Sequence, residues 1–193
     1  GGRWLPIKPG TEGAMALALI RWVFDNEKFD AKYLSAANKA AATLSGNPTW
    51  TEASWLVKLD KDGKPTTFLR ASEIGLKDKE ARPTAADPAK TYDFDYFVVL
   101  QDGKPVAFDP YAEEEGDAIV GDLFVENVQL GEFTVKSSLQ IIAESSREKT
   151  IEEWAEICGL NAVDLVMLSQ EFTSHGKKAC ADIHRGVSQH TNG

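Results

Sequence analysis

A carboxylate stands at the start of a helix near the beginning of the chain, directly after a Pro-Gly-Thr turn. The unpaired amides and the dipole of a helix N-terminus favour anionic ligands such as phosphate. Glu12 places its own negative charge at this point, so the turn favours a ligand other than phosphate. The alternative is that Glu12 is a plain first-turn carboxylate that the helix dipole stabilises.

The histidines and cysteines do not form a metal-binding pattern. His184 and His190 lie six positions apart with no cysteine nearby, and His175 precedes a glycine at a helix end, where a cation is favoured. Cys158 and Cys180 are 22 positions apart, which predicts neither a zinc site nor a disulfide framework. We expect both cysteines to be small buried apolar residues.

No complete catalytic motif occurs in the sequence: it contains no GxSxG, Walker, HExxH or GxGxxG pattern. The net charge of -9 without a basic cluster excludes nucleic acid and anionic membrane surfaces as partners. The 193 residues, 42% of them hydrophobic, suffice for one domain with an inserted part. No apolar run reaches the length of a membrane span and no signal peptide is visible. Because the chain opens on Gly-Gly without a methionine, we expect it to be a piece of a longer protein.

The two ends of the chain have helical periodicity. A short strand over 3–8 leads into a helix over 12–24 that Thr11 caps, and a second helix is predicted around 27–42. Helical spacing returns over 135–145. A capping box at Thr150 and Glu153 then starts a helix that ends at Gly159. A last helix runs from about 161 to a glycine at 176, and 177–186 predicts a buried strand.

The middle of the chain has the period of strands. Residues 55–68 and 96–108 both contain Asp-Gly-Lys-Pro between apolar runs, which predicts two β-hairpins. We expect 77–90 and the acidic stretch 111–118 to be exposed loops, and 122–130 to form a strand. These patterns indicate an α/β chain with a β-rich insertion, divided into 1–45, 46–131 and 132–193.

Two segments resemble a known family. "IKPGTEGAMALALIRWVFDNEKFDAKYL" and "KTIEEWAEICGLNAVDLVMLSQEFTSHGKKACADIHRGVSQHTNG" are similar to parts of the catalytic subunits of molybdopterin oxidoreductases of the dimethyl-sulfoxide-reductase family. In that family a strand enters an Ala/Leu-rich helix through Pro-Gly-Thr-Asp, and a later strand precedes a Gly-x-x-Gln loop. The resemblance implies a fragment of the Rossmann-like central α/β domain, with the hairpins as an insertion.

The resemblance also implies a cofactor of molybdenum, or tungsten, held by two molybdopterin guanine dinucleotides in the full-length protein. Relatives usually have Asp where this chain has Glu12, and that carboxylate accepts the two neighbouring N–H donors of one guanine. Gly10 would allow close backbone approach, and Thr11 would cap the helix. An iron–sulfur cluster is implied in the parent outside this fragment, and no cofactor is expected on the fragment alone.

The second segment implies further cofactor contacts. Carried over from relatives, Arg185 and Gln189 contact the pterin or its phosphates, Gly186 allows close approach, and His190 lies adjacent. The guanidinium of Arg185 suits a pyrophosphate because it donates two parallel hydrogen bonds; the alternative is a surface ion pair. Neither catalytic residues nor metal ligands are expected in this segment, because its cysteines lack suitable spacing.

Within the family, the insertion and "HRGVSQHTNG" are most similar to the large subunit of tetrathionate reductases. This implies reduction of tetrathionate to thiosulfate, with polysulfide, thiosulfate or arsenate reduction as alternatives. The implied partners are an iron–sulfur subunit for electron transfer and a membrane anchor subunit, with the parent on the outer face of the cytoplasmic membrane. Two other classes stay open: a binding module that uses the hairpin edges, and a purely structural domain.

Overall fold

The computed structural model describes residues 4–182 and combines helices with antiparallel sheets. The helices are α1 (Glu12–Asp25), α2 (Ala31–Leu34), α3 (Lys39–Leu44), α4 (Ser138–Arg147), α5 (Ile151–Cys158) and α6 (Ala162–Ser174). The strands are β1 (Leu56–Leu59), β2 (Pro65–Phe68), β3 (Glu80–Pro83), β4 (Thr91–Phe94), β5 (Phe97–Gln101), β6 (Lys104–Phe108), β7 (Val128–Leu130) and β8 (Phe133–Ser137). None of the helices among these residues is long and apolar enough to cross a bilayer.

The described residues form two compact units. One contains the residues up to Phe29 and those from Ile142 onward, and the other is Asp30–Ile141. The helices α1, α5 and α6 belong to the first unit, whereas α2, α3 and all eight strands belong to the second. The division at residues 45 and 131 stays a prediction about the parent.

The core of the first unit lies between α1, α5 and α6. Ala14 and Ala18 of α1 pack against Trp154 and Cys158 of α5 and Leu165 of α6. Small side chains on α1 let the other helices come close, and burying a side chain such as Leu165 stabilises by about 1.5–3 kcal/mol. The predicted helix over 12–24 is confirmed to within one residue.

The helix signals at the start and end of α5 are also confirmed. The hydroxyl of Thr150 accepts from the amide of Glu153, the carboxylate of Glu153 accepts from the amide of Thr150, and Gly159 ends the helix with φ 73°. The next helix begins after Asn161, as predicted, but its last residue is Ser174. A single 3-10 turn, Gly176–Lys178, follows it.

Two predicted strands of this unit are wrong within the described residues. Residues 4–8 pair with no strand, although the amide of Lys8 donates to the carbonyl of Cys158 over 2.9 Å. Residues 179–182 have no regular structure and Cys180 is exposed, so only Cys158 is a buried thiol. A strand needs a ladder of backbone partners, and apolar composition alone does not supply one. The rest of the second predicted strand, 183–186, lies outside the described residues.

The second unit contains one four-stranded sheet and two two-stranded ribbons. The sheet has the order β2-β1-β8-β7, and the ribbons are β3-β4 and β5-β6. One core cluster includes Leu56, Val98 and Val135, which are fully buried. A second surrounds Trp55, whose indole donates to the carbonyl of Ala37 over 3.0 Å.

Both predicted hairpins are confirmed, but their turns differ. In β5-β6, Asp102 and Gly103 form the two-residue turn with φ 52° and 74°, the conformation that Asp-Gly favours. In β1-β2 the loop is longer: the carboxylate of Asp60 accepts from the amides of Asp62 and Lys64, and a bulge shifts the register. The sequence Asp-Gly-Lys-Pro therefore occurs in two different types of turn.

Three expectations in the middle of the chain need correction. The helix predicted over 27–42 is divided into α2 and α3, because Ala36 bridges to Val120 and buried Asn38 begins α3. The stretch 77–90 is not all loop, since β3 pairs with β4. The strand predicted over 122–130 is reduced to β7, and residue 135, predicted helical, lies in β8. The acidic stretch 111–118 has its carboxylates exposed, with one 3-10 turn, Glu115–Asp117.

Candidate functional site

The loop before α1 is a tight turn closed on Lys8. The carbonyl of Lys8 accepts from the amide of Thr11 over 3.2 Å and from its hydroxyl over 2.5 Å. Gly10 has φ 79°, a conformation that is unfavourable for any residue that has a Cβ atom. The turn therefore requires glycine at this position and fixes the direction in which α1 starts.

Thr11 occupies the N-cap position of α1, but its side chain does not cap the helix. The hydroxyl is engaged with Lys8 instead, so the prediction that it accepts from a first-turn amide is wrong. The carbonyl of Thr11 accepts from the amides of Ala14 and Met15 over 3.0 and 3.3 Å. The amides of Glu12 and Gly13 have no intrahelical acceptor, as is general for the first residues of a helix.

Glu12 is the first residue of α1 and is half-buried. Within residues 4–182, no hydrogen bond or ion pair to its carboxylate occurs. An ionised carboxylate offers two acceptor oxygens and no donor. The helix N-terminus stabilises its charge while leaving both oxygens for a ligand.

The two glycines of the turn and first helical residues are open to their surroundings. A Cβ added at Gly10 would have no described atom within 4 Å, and the same holds for Gly13. An acceptor pair beside an open backbone turn fits a group that presents two parallel N–H donors, such as the edge of guanine. The residues present at this point are compatible with the ligand that the family resemblance implies.

The C-terminal end of α5 holds this loop, and sequence reasoning missed the contact. The Lys8 ammonium donates to the carbonyl of Glu156 over 3.2 Å, in addition to the backbone bond to Cys158. A lysine at a helix C-terminus is favoured by the dipole. The partners are 148 positions apart, so no local pattern in the sequence could have connected them.

Cys158 has a packing role in this arrangement. Its side chain is buried among α1, α5 and α6, and its Sγ donates to the carbonyl of Trp154 over 2.9 Å. Burial raises the pKa of the Cys158 thiol, which keeps it protonated and unreactive. This agrees with the sequence prediction of a small buried apolar residue.

The remaining predicted site residues, Arg185, Gly186, Gln189 and His190, lie outside the described residues, as does His184. The structure therefore brings together Gly10, Thr11 and Glu12. His175, predicted to lie at a helix end, is the C-cap of α6, and its Nε2 lies 2.9 Å from a carboxylate oxygen of Glu171. Among residues 4–182, no group of three or more His, Cys, Asp or Glu side chains is arranged to hold a metal ion.

No protein-family profile matches the chain. The A subunit of the selenate reductase of Mesobacillus selenatarsenatis is 44% identical over 99% of this chain and 16% of its own length. The A subunit of the tetrathionate reductase of Archaeoglobus fulgidus is 35% identical over 98% of this chain and 15% of its own length. Its counterpart in Salmonella typhimurium, also the A subunit of a tetrathionate reductase, is 28% identical over 96% of this chain and 17% of its own length. The chain thus spans about one sixth of the length of the curated relatives that it matches.

Proposed function

Because the chain belongs to the molybdopterin oxidoreductases, with the A subunits of selenate and tetrathionate reductases as relatives over its whole length, we propose that it is a cofactor-binding segment of an oxyanion reductase. The observation that carries the proposal is the match over 99% of the chain at 44% identity. The geometry of the loop around Glu12 supports it independently. The activity belongs to the full-length catalytic subunit, of which this chain is a part.

In this proposal the chain binds part of a bis(molybdopterin guanine dinucleotide). Glu12 accepts the two N–H donors of one guanine, and Gly10 gives the ligand access to the backbone. We assign Arg185, Gly186, Gln189 and His190 to contacts with the pterin or phosphates, on the resemblance alone. The bound molybdenum, or tungsten, supplies the two-electron redox chemistry. The protein residues orient the cofactor and neutralise its charge.

The substrate we propose is tetrathionate, reduced to two thiosulfates, with selenate as a second candidate. The resemblance of the hairpin insertion favours tetrathionate. Selenate is the second candidate because the sequence identity to the selenate reductase subunit is 44%. The identities to the two tetrathionate reductase subunits are 35% and 28%. Most residues that line the substrate funnel are expected outside this segment, so its sequence discriminates weakly between substrates.

The partners we propose are an iron–sulfur subunit for electron transfer and a membrane anchor subunit, with the complex on the outer face of the cytoplasmic membrane. The relatives are named as A subunits, which fits a complex of several chains. An iron–sulfur cluster in the parent, outside this segment, would pass the electrons on.

The substrate assignment is tested on the full-length subunit purified with its cofactor. Oxidation of reduced viologen dye is followed after adding tetrathionate, selenate, thiosulfate, polysulfide or arsenate in separate reactions. Turnover fastest with tetrathionate supports the first assignment, and turnover fastest with selenate replaces it with the second. No turnover by a preparation that contains molybdenum would contradict the proposal of an oxyanion reductase.

Glu12 is tested by substitution in the same full-length subunit. Glu12→Gln keeps the size and one acceptor oxygen but removes the charge. We expect cofactor affinity to fall about tenfold to a hundredfold, since a hydrogen bond to a charged group contributes about 1.5–3 kcal/mol. Glu12→Asp, the residue usual in relatives, should retain the cofactor. The readout is GMP released by acid hydrolysis of the desalted protein, per subunit.

Glu152→Gln provides the matched control, because Glu152 is an exposed acidic residue in the first turn of α5. It removes a first-turn charge at a helix N-terminus without touching the loop. Equal GMP content in Glu12→Gln, Glu152→Gln and the unsubstituted subunit would show that Glu12 is only a first-turn carboxylate.

A further inference from the structure

The loop that carries Glu12 is attached to a helix end that lies far away in the sequence. The backbone amide of Lys8 donates to the carbonyl of Cys158 over 2.9 Å, and its ammonium donates to the carbonyl of Glu156 over 3.2 Å. Both acceptors lie in the last turn of α5. The carbonyl of Glu156 also accepts from the amide of Gly159 over 3.2 Å, so the Lys8 ammonium is its second donor. Lys8 therefore contacts this helix end twice, through its backbone and through its side chain.

Gly159 provides the surface on which the Lys8 side chain lies. A Cβ at this position would be 2.9, 3.1 and 3.3 Å from Cε, Cγ and Cδ of Lys8, so the exposed Lys8 side chain would have to shift to accommodate it. Gly159 also has φ 73°, which ends α5 in the left-handed conformation. Glycine is thus favoured here for its conformation, and it leaves the space that the Lys8 side chain fills.

Hydrogen bonds link Lys8 to Thr11, the residue before Glu12. The carbonyl of Lys8 accepts from the amide and hydroxyl of Thr11, and the carbonyl of Thr11 accepts from the first amides of α1. Glu12 directly follows Thr11 and begins the helix. The position of its backbone is therefore set from both sides, by the start of α1 and by the end of α5.

We propose that Lys8 and Gly159 are positioning residues of the guanine site, through which the end of α5 sets where the Glu12 carboxylate stands. The proposal rests on the proposed function of Glu12 and extends it to a helix that does not touch the ligand in this account. A bidentate hydrogen bond to a rigid ligand edge tolerates little displacement. Loosening the loop should therefore weaken guanine binding even when Glu12 itself is intact.

The test uses the full-length subunit with substitutions at both ends of the contact. Lys8→Met keeps the stem but removes the donor, and Lys8→Arg keeps a cationic donor. Gly159→Ala introduces the Cβ that Lys8 excludes. The control for Lys8→Met is Lys28→Met, which removes an exposed lysine of the same unit.

Gly75→Ala is the control for Gly159→Ala. Gly75 follows the 3-10 helix Ala71–Ile74 and also has a left-handed φ, 64°. Its amide donates to the carbonyls three and four residues earlier, as that of Gly159 does. A Cβ at Gly75 would have nothing within 4 Å. Both alanines have the same conformational cost, so the difference between them isolates the contact with Lys8.

Two measurements are made on each variant. The first is the rate at which the folded, loaded subunit loses GMP-containing cofactor, and we expect Lys8→Met and Gly159→Ala to raise it about fivefold or more. The second is amide hydrogen exchange of the peptide 8–14 in cofactor-free subunit, which should become faster in the same variants. Lys8→Arg, Lys28→Met and Gly75→Ala should resemble the unsubstituted subunit in both.

Combining the substitutions with Glu12→Gln separates this inference from the proposed function. If the end of α5 acts through Glu12, Gly159→Ala should add little to cofactor loss once Glu12 is replaced, whereas additive effects would overturn the positioning role. Cofactor loss from Glu12→Gln with unchanged retention in Lys8→Met and Gly159→Ala would overturn this inference alone. No effect of Glu12→Gln would overturn the guanine assignment, and this inference with it.

Discussion

Among the described glycines, Gly121 has the least space for a side chain. A Cβ on Gly121 would lie 2.5 Å from Oγ and 2.6 Å from Cβ of Ser54, and 3.0 Å from Cβ of Val99. Both neighbours are fully buried, so they have little room to move. Within the described residues, the hydroxyl of Ser54 has no hydrogen-bond partner. The close packing of Gly121 against Ser54 therefore leaves one buried hydroxyl without a hydrogen bond in the described structure.

Gly121→Ala should destabilise the chain by about 1–3 kcal/mol, because the added methyl group overpacks a rigid site. Chemical denaturation of the 193-residue chain measures the loss. Gly116→Ala is the control, since a Cβ there meets nothing within 4 Å and its φ is not positive. In a double substitution with Ser54→Gly, which removes the obstacle, the cost of Gly121→Ala should fall. An equal cost with and without the Ser54 side chain would contradict the steric explanation.

Among the helices, α5 has a capping box whose strength depends on pH. The pKa of Glu153 is lowered, chiefly because its carboxylate accepts from the amide of Thr150. A carboxyl group whose pKa is lower in the folded state stabilises that state at pH values above its unfolded pKa, about 4.3. This contribution is lost as the pH falls through the folded pKa.

Replacing Glu153 by Gln should therefore reduce the loss of stability on acidification below about pH 4.3, because the amide accepts a hydrogen bond but does not titrate. The measurement is the urea midpoint of the chain between neutral and acidic pH. Glu152→Gln, which changes the neighbouring first-turn residue outside the capping box, should follow the unsubstituted chain. If Glu153→Gln showed the same acid loss as Glu152→Gln, the cap would not contribute.

The elements with local signals could be predicted from the sequence. The helix α1, the capping box and glycine of α5, and both Asp-Gly hairpins are each specified by a few neighbouring residues. The elements that were predicted wrongly depend on partners that are distant in the sequence. The ribbon β3-β4 forms where a loop was expected because Arg82 of β3 stacks 3.7 Å from the ring of Phe94 and pairs with Glu80 and Asp109.

The candidate site also combines local features that the sequence predicts with distant contacts that it does not. The turn at Gly10 and the helix start at Glu12 could be predicted because their signals occur together in a few residues, whereas the binding role of Glu12 was implied by the family resemblance and stays a prediction. The hydroxyl of Thr11 was misassigned because its competing acceptor, the carbonyl of Lys8, is presented only once the turn is closed. The support from α5 could not be found at all, since Lys8 and Gly159 become neighbours only in the folded unit.

For the molecule as a whole, the chain corresponds to a small part of the catalytic subunits that it matches. The relatives are about six times longer than the matched segment. Within residues 4–182 no cluster of side chains is suited to a metal ion, and the buried thiol of Cys158 is engaged with Trp154. In the proposed function the segment supplies a guanine contact and contacts to the pterin or phosphates, and the metal and substrate sites belong to the rest of the subunit.

The 193-residue chain, produced alone in a host that makes molybdopterin cofactors, should therefore contain no molybdenum and oxidise no reduced viologen with tetrathionate, selenate, thiosulfate, polysulfide or arsenate. The reason is that the contacts proposed for this chain reach only part of a large cofactor, and hydrogen bonds of about 1.5–3 kcal/mol each to that part are too weak to hold it through purification. The full-length subunit from the same host is the control and should contain both metal and activity. Metal content and dye oxidation are measured on both preparations. Stoichiometric molybdenum in the isolated chain would mean that it carries a complete cofactor site, and would refute the view that the segment supplies only one side of it.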